Sequence, residues 1–523
     1  FYLPPLSLSL SLSLSLTHSL THSPTMPNPT SPSPSPPSPP HPLQEFFRDA
    51  IMNGELTLIQ QLSQQGADVN FPINIEGAVT PLFLTSVMGR VHIVKLLGEL
   101  GAKVNTIGKE GLTTLHGAAA EGHVEVAQTL AKMGANMNQQ SKNGTTPVCM
   151  AAEFNQINMI KCLVKLGARV DIPQVDGATP VNVAAAKGYI TVVKTLAELG
   201  VDVCLPDNKG ISPLYIAAQE GHAEMIRVLV NLGASYDTHT DGGMTPLYIA
   251  AQNDHKDVVE VLAELGAKLE TEDVDGNTAM LIAADRGNVD VINVLAANGV
   301  DIHHANRTGG NAIFIAAQNG HGAAVCALAK LGAHIHEFST TGYTPMHIAA
   351  SQGQVGSINA LAKLGVDVNV PEQSFGNSPV FLAAAGDHVE AIKLLHRLGA
   401  DINASGSGSV TPIYVAAMKR HKNAVHVLRE LGADVSTFTT DDEGSSWADG
   451  FVTHQFFSPI MTLIIFGVPA AIIVLFFIYR FVVVLAIASV VFIALYQVLK
   501  VIGTRWSHFE AVRLINGDDS EVI

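Results

Sequence analysis

Metal binding, proton transfer and nucleophilic attack draw on few side-chain types, and in this 523-residue chain the 21 histidines and four cysteines come first. A zinc site needs three or four such ligands converging to about 2.0–2.3 Å. Cys149, Cys162, Cys204 and Cys326 contain no C-x-x-C pair, which excludes a zinc ribbon and a disulfide scaffold and suits reducing surroundings. His303, His304, His334 and His336 fall in two loops, with His303 and His336 33 residues apart and expected side by side at about 8–10 Å. Polar loop residues standing where other copies carry Asn account for the group more simply than zinc, so no metal or other cofactor is expected. His123, His222, His255, His321, His388 and His421 share one position, ten residues after a Thr, Ser or Asn, which points to a structural turn. The chain has no G-x-x-x-x-G-K-[ST], G-x-G-x-x-G, G-x-S-x-G, H-E-x-x-H or kinase catalytic-loop pattern. No catalytic residue is expected, and the chain reads as a non-enzyme.

The elements that carry these residues follow from a period. A small hydroxyl or amide residue, usually followed by Pro, recurs at Thr80, Thr113, Thr146, Thr179, Ser212, Thr245, Thr278, Asn311, Thr344, Ser378 and Thr411, with spacings of 33 except one of 34. Gly followed by Ala or Val tracks it from Gly66 and Gly101 through Gly134 to Gly432. Pro suits the first helical turn, where its missing N–H is not needed, and Gly suits a left-handed helix end. Runs such as Asp207-Asn208-Lys209-Gly210 supply turn chemistry before the next helix. Each unit therefore reads as helix, turn, helix, hairpin, and only stacking buries its apolar face.

Thr344-Pro345-Met346-His347-Ile348-Ala349-Ala350 and Thr113-Thr114-Leu115-His116 resemble the ankyrin-repeat motif, and the resemblance covers residues 43–436 in about twelve copies. It implies an all-α repeat solenoid, a stack of ankyrin helix-turn-helix-hairpin units. The pair within 45–70 lacks the Thr-Pro start and is expected to cap the array. The resemblance also implies that hairpin tips and first-helix ends grip protein partners. The matching helix ends are Glu121, Glu153, Gln219, Glu220, Gln252, Asn253, Asp285, Arg286, Gln318 and Asn319, a polar and mildly acidic row. Phe83, Tyr215, Tyr248, Phe314, Phe381 and Tyr414 stand where the family usually has His, and are expected to pack between repeats.

Composition places the array in a larger plan. Charged residues are 15% against a usual ~25%, and mean hydropathy is +0.27, so something apolar lies within the average. Residues 1–25, with a Ser-Leu alternation over 7–16, read as untranslated low-complexity sequence preceding Met26, and 26–42 as a Pro/Ser-rich disordered leader. After an acidic linker over 437–459, an apolar run opens at Ile460 and closes at Leu499 with Arg480 as its one formal charge. Forty residues of helix would span ~60 Å, twice the hydrocarbon core. Splitting at Arg480 gives transmembrane helices over 460–479 and 481–499, a hairpin in the lipid bilayer, with 500–523 as a juxtamembrane tail. Lys500 and Arg505 place the tail, and with two spans the repeats, on the cytosolic side.

With 46 acidic and 30 basic residues the net charge is −16, which argues against a nucleic-acid partner. The expected function is a membrane-anchored scaffold or adaptor that binds a protein partner through its repeat surface. An auxiliary subunit of an oligomeric channel or transporter is the alternative. A truncated ankyrin-type palmitoyltransferase is the third, disfavoured because the chain has no Cys after Cys326. The last residues, Glu521-Val522-Ile523, resemble a PDZ-domain ligand.

Overall fold

The computed structural model describes residues 42–73, 79–108 and 110–435. Among them, 24 α-helices form 12 successive pairs, from Pro42–Asn53 with Leu56–Gln64 to Pro412–Met418 with Lys422–Glu430. First helices pack on first helices and second helices on second helices along the chain, which makes two helical layers. No strand occurs among the described residues, only an isolated bridge between Ala305 and Asn311. The all-α repeat stack expected from the sequence is what the described residues form. The two proposed spans, the linker, the leader and Ile523 lie outside the described residues. Among the described residues no helix is long and apolar enough to cross a membrane.

Helix starts follow the marker residues. At Thr146 the side-chain oxygen accepts from the Cys149 backbone N–H at 3.2 Å, and Pro147 opens the helix. Thr80, Thr179, Ser212, Thr245, Thr344 and Ser378 repeat the arrangement, and Asn311 caps in the same way ahead of Ala312. Each such cap stabilises its helix by about 1 kcal/mol. At the far end of the second helix, Gly101 has φ +88° and lets the Ala102 N–H reach back to the Leu97 carbonyl at 2.9 Å. This is the Schellman closure.

The core runs the length of the array. Paired alanines of the first helices, such as Ala217 and Ala218, are fully buried, as are Val192, Val193 and Leu196 of a second helix. At one junction the second helices approach more closely. A Cβ placed on Gly322 of Gly322–Lys330 would lie 2.7 Å from the Gly356 carbonyl oxygen of Val355–Lys363.

Two hydrogen-bond systems tie successive units together on the hairpin side. Tip backbones join directly, as in Lys142 N–H to Glu110 O, Val175 N–H to Asn143 O and Asn208 N–H to Asp176 O, each 3.0 Å. Behind the tips, a side-chain oxygen of one unit accepts a backbone N–H of the next: Asn70 from Lys103 at 2.7 Å, Asn105 from Asn136 at 2.9 Å and Asn369 from Asp401 at 2.8 Å. The 34-residue spacing has its cause here. The extra residue widens the loop ending at Asn377, and Glu372, only 3% exposed, spans it by accepting from the Ser374 and Phe375 backbone N–H groups, both at 2.6 Å.

Candidate functional site

The first helices end in a row of solvent-facing turns, and the structure brings the ten sequence-selected residues onto it. Glu121, Glu220, Asn253, Arg286, Gln318 and Asn319 are exposed, while Glu153, Gln219, Gln252 and Asp285 are half-buried. Part of their polarity is used within the array. Asn253 donates to the Gln219 carbonyl at 3.0 Å, and Asn319 donates to the Asp285 carboxylate at 2.8 Å. Gln219 donates to Glu220 at 3.0 Å, and Arg286 lies 3.7 Å from the Asp285 carboxylate. Burial raises the Glu153 carboxyl above its ordinary range, and nearby Lys187 partly offsets this. The surface is thus a hydrogen-bonded series of carboxylates and amides, along which Glu121 and Gln318 make no bond within the array.

The periodic histidines hold this row in place. The His123 ring nitrogen Nε2 donates to the Val87 carbonyl at 2.9 Å, one unit back. His222, His255, His321, His388 and His421 repeat the bond to Ala186, Gln219, Asp285, Ser351 and Ala385. Other donors do the same work at this position, with Gln156 bonding to Ala120 and Asn288 to Ala251. In the first copy Arg90 reaches the Ile51 and Met52 carbonyls at 2.6 and 2.7 Å. Six histidines sharing a position are therefore six copies of one structural bond.

The loop histidines make a ring contact of their own. His303 lies against His334, with ring centroids 4.1 Å apart, a contact that the repeat equivalence of His303 and His336 does not indicate. The reason is the offset of the side-chain ladder, which reaches a residue 31 positions ahead, as Asn105 reaches Asn136. His334 Nδ1 is 2.5 Å from the Glu337 carboxylate, and His304 donates to the Gly276 carbonyl at 3.1 Å. Among the described residues no three His, Cys, Asp or Glu side chains are grouped to hold a metal ion. All four cysteines are free thiols.

The aromatic series packs under the hairpins as expected of it. Tyr215, Tyr248 and Phe381 are buried, and Phe83, Phe314 and Tyr414 are half-buried. Burial pushes the Tyr215 hydroxyl up to about 12. Tyr248 donates to Asp273 at 3.1 Å and is raised further by burial and by that carboxylate. His116 and His347 hold the same position with imidazoles lowered by burial, His347 to about 4. His116 Nε2 donates to the Thr145 carbonyl at 2.9 Å, whereas His347 Nε2 has no well-aligned hydrogen bond, and the nearby Val370 and Asn377 backbone and the Glu372 carboxylate only partly oppose the effect of burial.

The sequence reading passed over two features of this surface. Exposed apolar side chains stand on the hairpins at Ile107, Val175, Val274, Phe338 and Phe375. The row of helix ends also continues to Lys419, Arg420 and Lys422, exposed and opposite in sign to Glu121 and Glu220. Counting forward from Glu121 in the repeat register reaches Lys419 and was the available signal.

The family model described as ankyrin repeats (3 copies) matches residues 47–141, 133–207, 199–273, 279–372 and 347–439, well over half of the chain. No curated protein matches it.

Proposed function

The chain belongs to the ankyrin-repeat family, and from that premise we propose that it is a scaffold or adaptor that binds a protein partner along its first-helix ends and holds it at a membrane. The family's repeats are protein-interaction modules, which supports the first part. The observation that carries the site is the polar row itself, tied back to the preceding unit by side chains at positions 90, 123, 156, 222, 255, 288, 321, 388 and 421, with 189 and 354 as the exceptions in that series. A surface already ordered before contact loses little entropy on binding. Repeats facing the cytosol, anchorage through 460–499 and a PDZ-domain partner at Ile523 belong to the same proposal. They rest on the 40-residue apolar run, the flanking Lys500 and Arg505, and the terminal Glu521-Val522-Ile523.

Two measurements test the reading. Proximity labelling with the full chain identifies the partner, and its binding to the triple variant Glu153→Lys, Glu220→Lys and Asp285→Lys should weaken at least tenfold with an unchanged melting temperature. Unchanged affinity removes the row from the binding site. Carbonate extraction should leave the full chain in the membrane fraction and release a chain lacking 460–499. Release of both removes the anchor.

A further inference from the structure

The row of helix ends changes sign in the last described turn. Lys419, Arg420, His421 and Lys422 are consecutive, whereas no equivalent turn from 88–91 to 386–389 contains more than one Lys or Arg. Lys419, Arg420 and Lys422 are exposed.

Helix polarity favours the first of these cations, whereas backbone conformation disfavours the second and helix polarity the third. Lys419 caps the C-terminal end of Pro412–Met418, the end of a helix that attracts cations, and donates to the Ala385 carbonyl at 3.1 Å. Arg420 has φ +62°, the left-handed region, where glycine stands in seven equivalent turns (Gly89, Gly122, Gly188, Gly221, Gly287, Gly320 and Gly353). Three further turns use Asn155, Asp254 and Asp387, whose short polar side chains tolerate that conformation. An arginine has no such advantage. Lys422 opens Lys422–Glu430 at the positive end of the helix macrodipole, where a cation is disfavoured. Lys256 holds the same place but lies 3.4 Å from Glu260, four residues on. Four residues after Lys422 stands His426, which is itself 3.1 Å from Glu430. The acid of the preceding turn, Asp387, accepts the Ala424 N–H at 2.9 Å and is an anionic group beside this cluster.

The position along the chain names the occupant. Residues 436–459 contain no Lys or Arg and precede the apolar run at Ile460. Fully extended, those residues reach about 85 Å, so an anchored chain keeps the end of the last repeat, one helix beyond the cationic turn, within that distance of the bilayer. Cations beside a membrane segment are attracted to anionic phospholipids. We propose that the turn 419–422 docks on anionic phospholipid headgroups of the bilayer that holds 460–499, setting the last repeat against the membrane and leaving the acidic first-helix ends of earlier units turned toward a partner. This rests on the anchorage reading above.

The test uses the full chain reconstituted in vesicles of phosphatidylcholine alone or with phosphatidylserine, and follows backbone hydrogen exchange of 419–424 by mass spectrometry. Phosphatidylserine should slow exchange there and not at the control turn 253–256, by a factor on the order of 100 for three cations at low salt. High salt should remove the protection, as should the triple variant Lys419→Glu, Arg420→Glu and Lys422→Glu. Should that variant unfold, Lys419→Gln with Arg420→Gly and Lys422→Gln removes the charge while relaxing the left-handed residue. Equal exchange in both vesicle types overturns the proposal, and so does equal protection by inorganic phosphate with phosphatidylcholine vesicles. Anchorage is read separately, by carbonate-resistant flotation with phosphatidylcholine vesicles. If that fails while phosphatidylserine vesicles still protect the turn in a salt-sensitive way, the anchor falls and the lipid site stands.

Discussion

His347 shows how one buried residue imposes a pH limit on the array. It is fully buried, its Nδ1 accepts the Thr344 N–H at 3.2 Å, and Nε2 lies near the Val370 and Asn377 backbone without a well-aligned hydrogen bond. Burial lowers its imidazole from 6.5 to about 4. The unfolded chain therefore takes up a proton near pH 6.5, and the native chain does so only near pH 4. The stability this difference contributes is complete above pH 6.5 and is lost as the pH falls toward 4, up to about 3 kcal/mol. His347→Phe, which places at this position the residue found at buried Phe381, should flatten that acid limb in denaturant titrations; an unchanged slope between pH 6.5 and 4 assigns it to other groups. Arg420→Gly should stabilise the protein by about 1 kcal/mol, because glycine adopts positive φ without the steric cost. A melting temperature below that of the parent chain would show that the arginine makes up its backbone cost in contacts. The capping residues and periodic histidines were legible in the sequence because position within a repeat determines their bond. The partnership of His303 with His334 was not, since a period of 33 equates residues, whereas the side chains reach to the thirty-first.

At the scale of helices, small residues set how closely neighbours lie. The second helices Gly322–Lys330 and Val355–Lys363 meet at Gly322, where a Cβ would come within 2.7 Å of a backbone oxygen that no rotamer change can move aside. Gly322→Ala should push these helices apart and destabilise the array by about 1–3 kcal/mol despite alanine's better helix propensity. A neutral or positive shift in the urea midpoint would mean that the stack slides to accommodate the methyl group. Helix starts and stops were readable from Thr-Pro and Gly because both markers act through local backbone chemistry. The widened loop at Glu372 was visible as an offset of one residue. Its buried carboxylate was not, because an acid in a turn ordinarily faces water and only the backbone donors at Ser374 and Phe375 draw this one inward.

Over the whole molecule, each unit touches its neighbours along the chain, so stability is a sum of units and junctions and not one global core. Removing Pro412–Met418 and Lys422–Glu430 should lower the urea m-value in proportion to the surface lost while the remaining units stay helical. Collapse of all helical signal would instead show that this pair seals the array. The ladder behind the hairpin tips is uneven in the same one-dimensional way. Asn70, Asn105, Asn138, Asp237, Glu270, Asn369 and Asn403 each hold the next unit through a side-chain rung. Asp171 turns back to Arg169 with bonds of 3.0 and 2.9 Å, and His303 substitutes a ring contact with His334. Cys204 reaches the next unit only through its thiol, 3.6 Å from the Gly233 carbonyl, and His336 makes no rung. Under tension between a tethered end and a bound cargo, a series of springs yields at its softest coil. These four junctions are the soft coils, so the array behaves as stiffer blocks joined by compliant joints, and load would open it from within before either end frays.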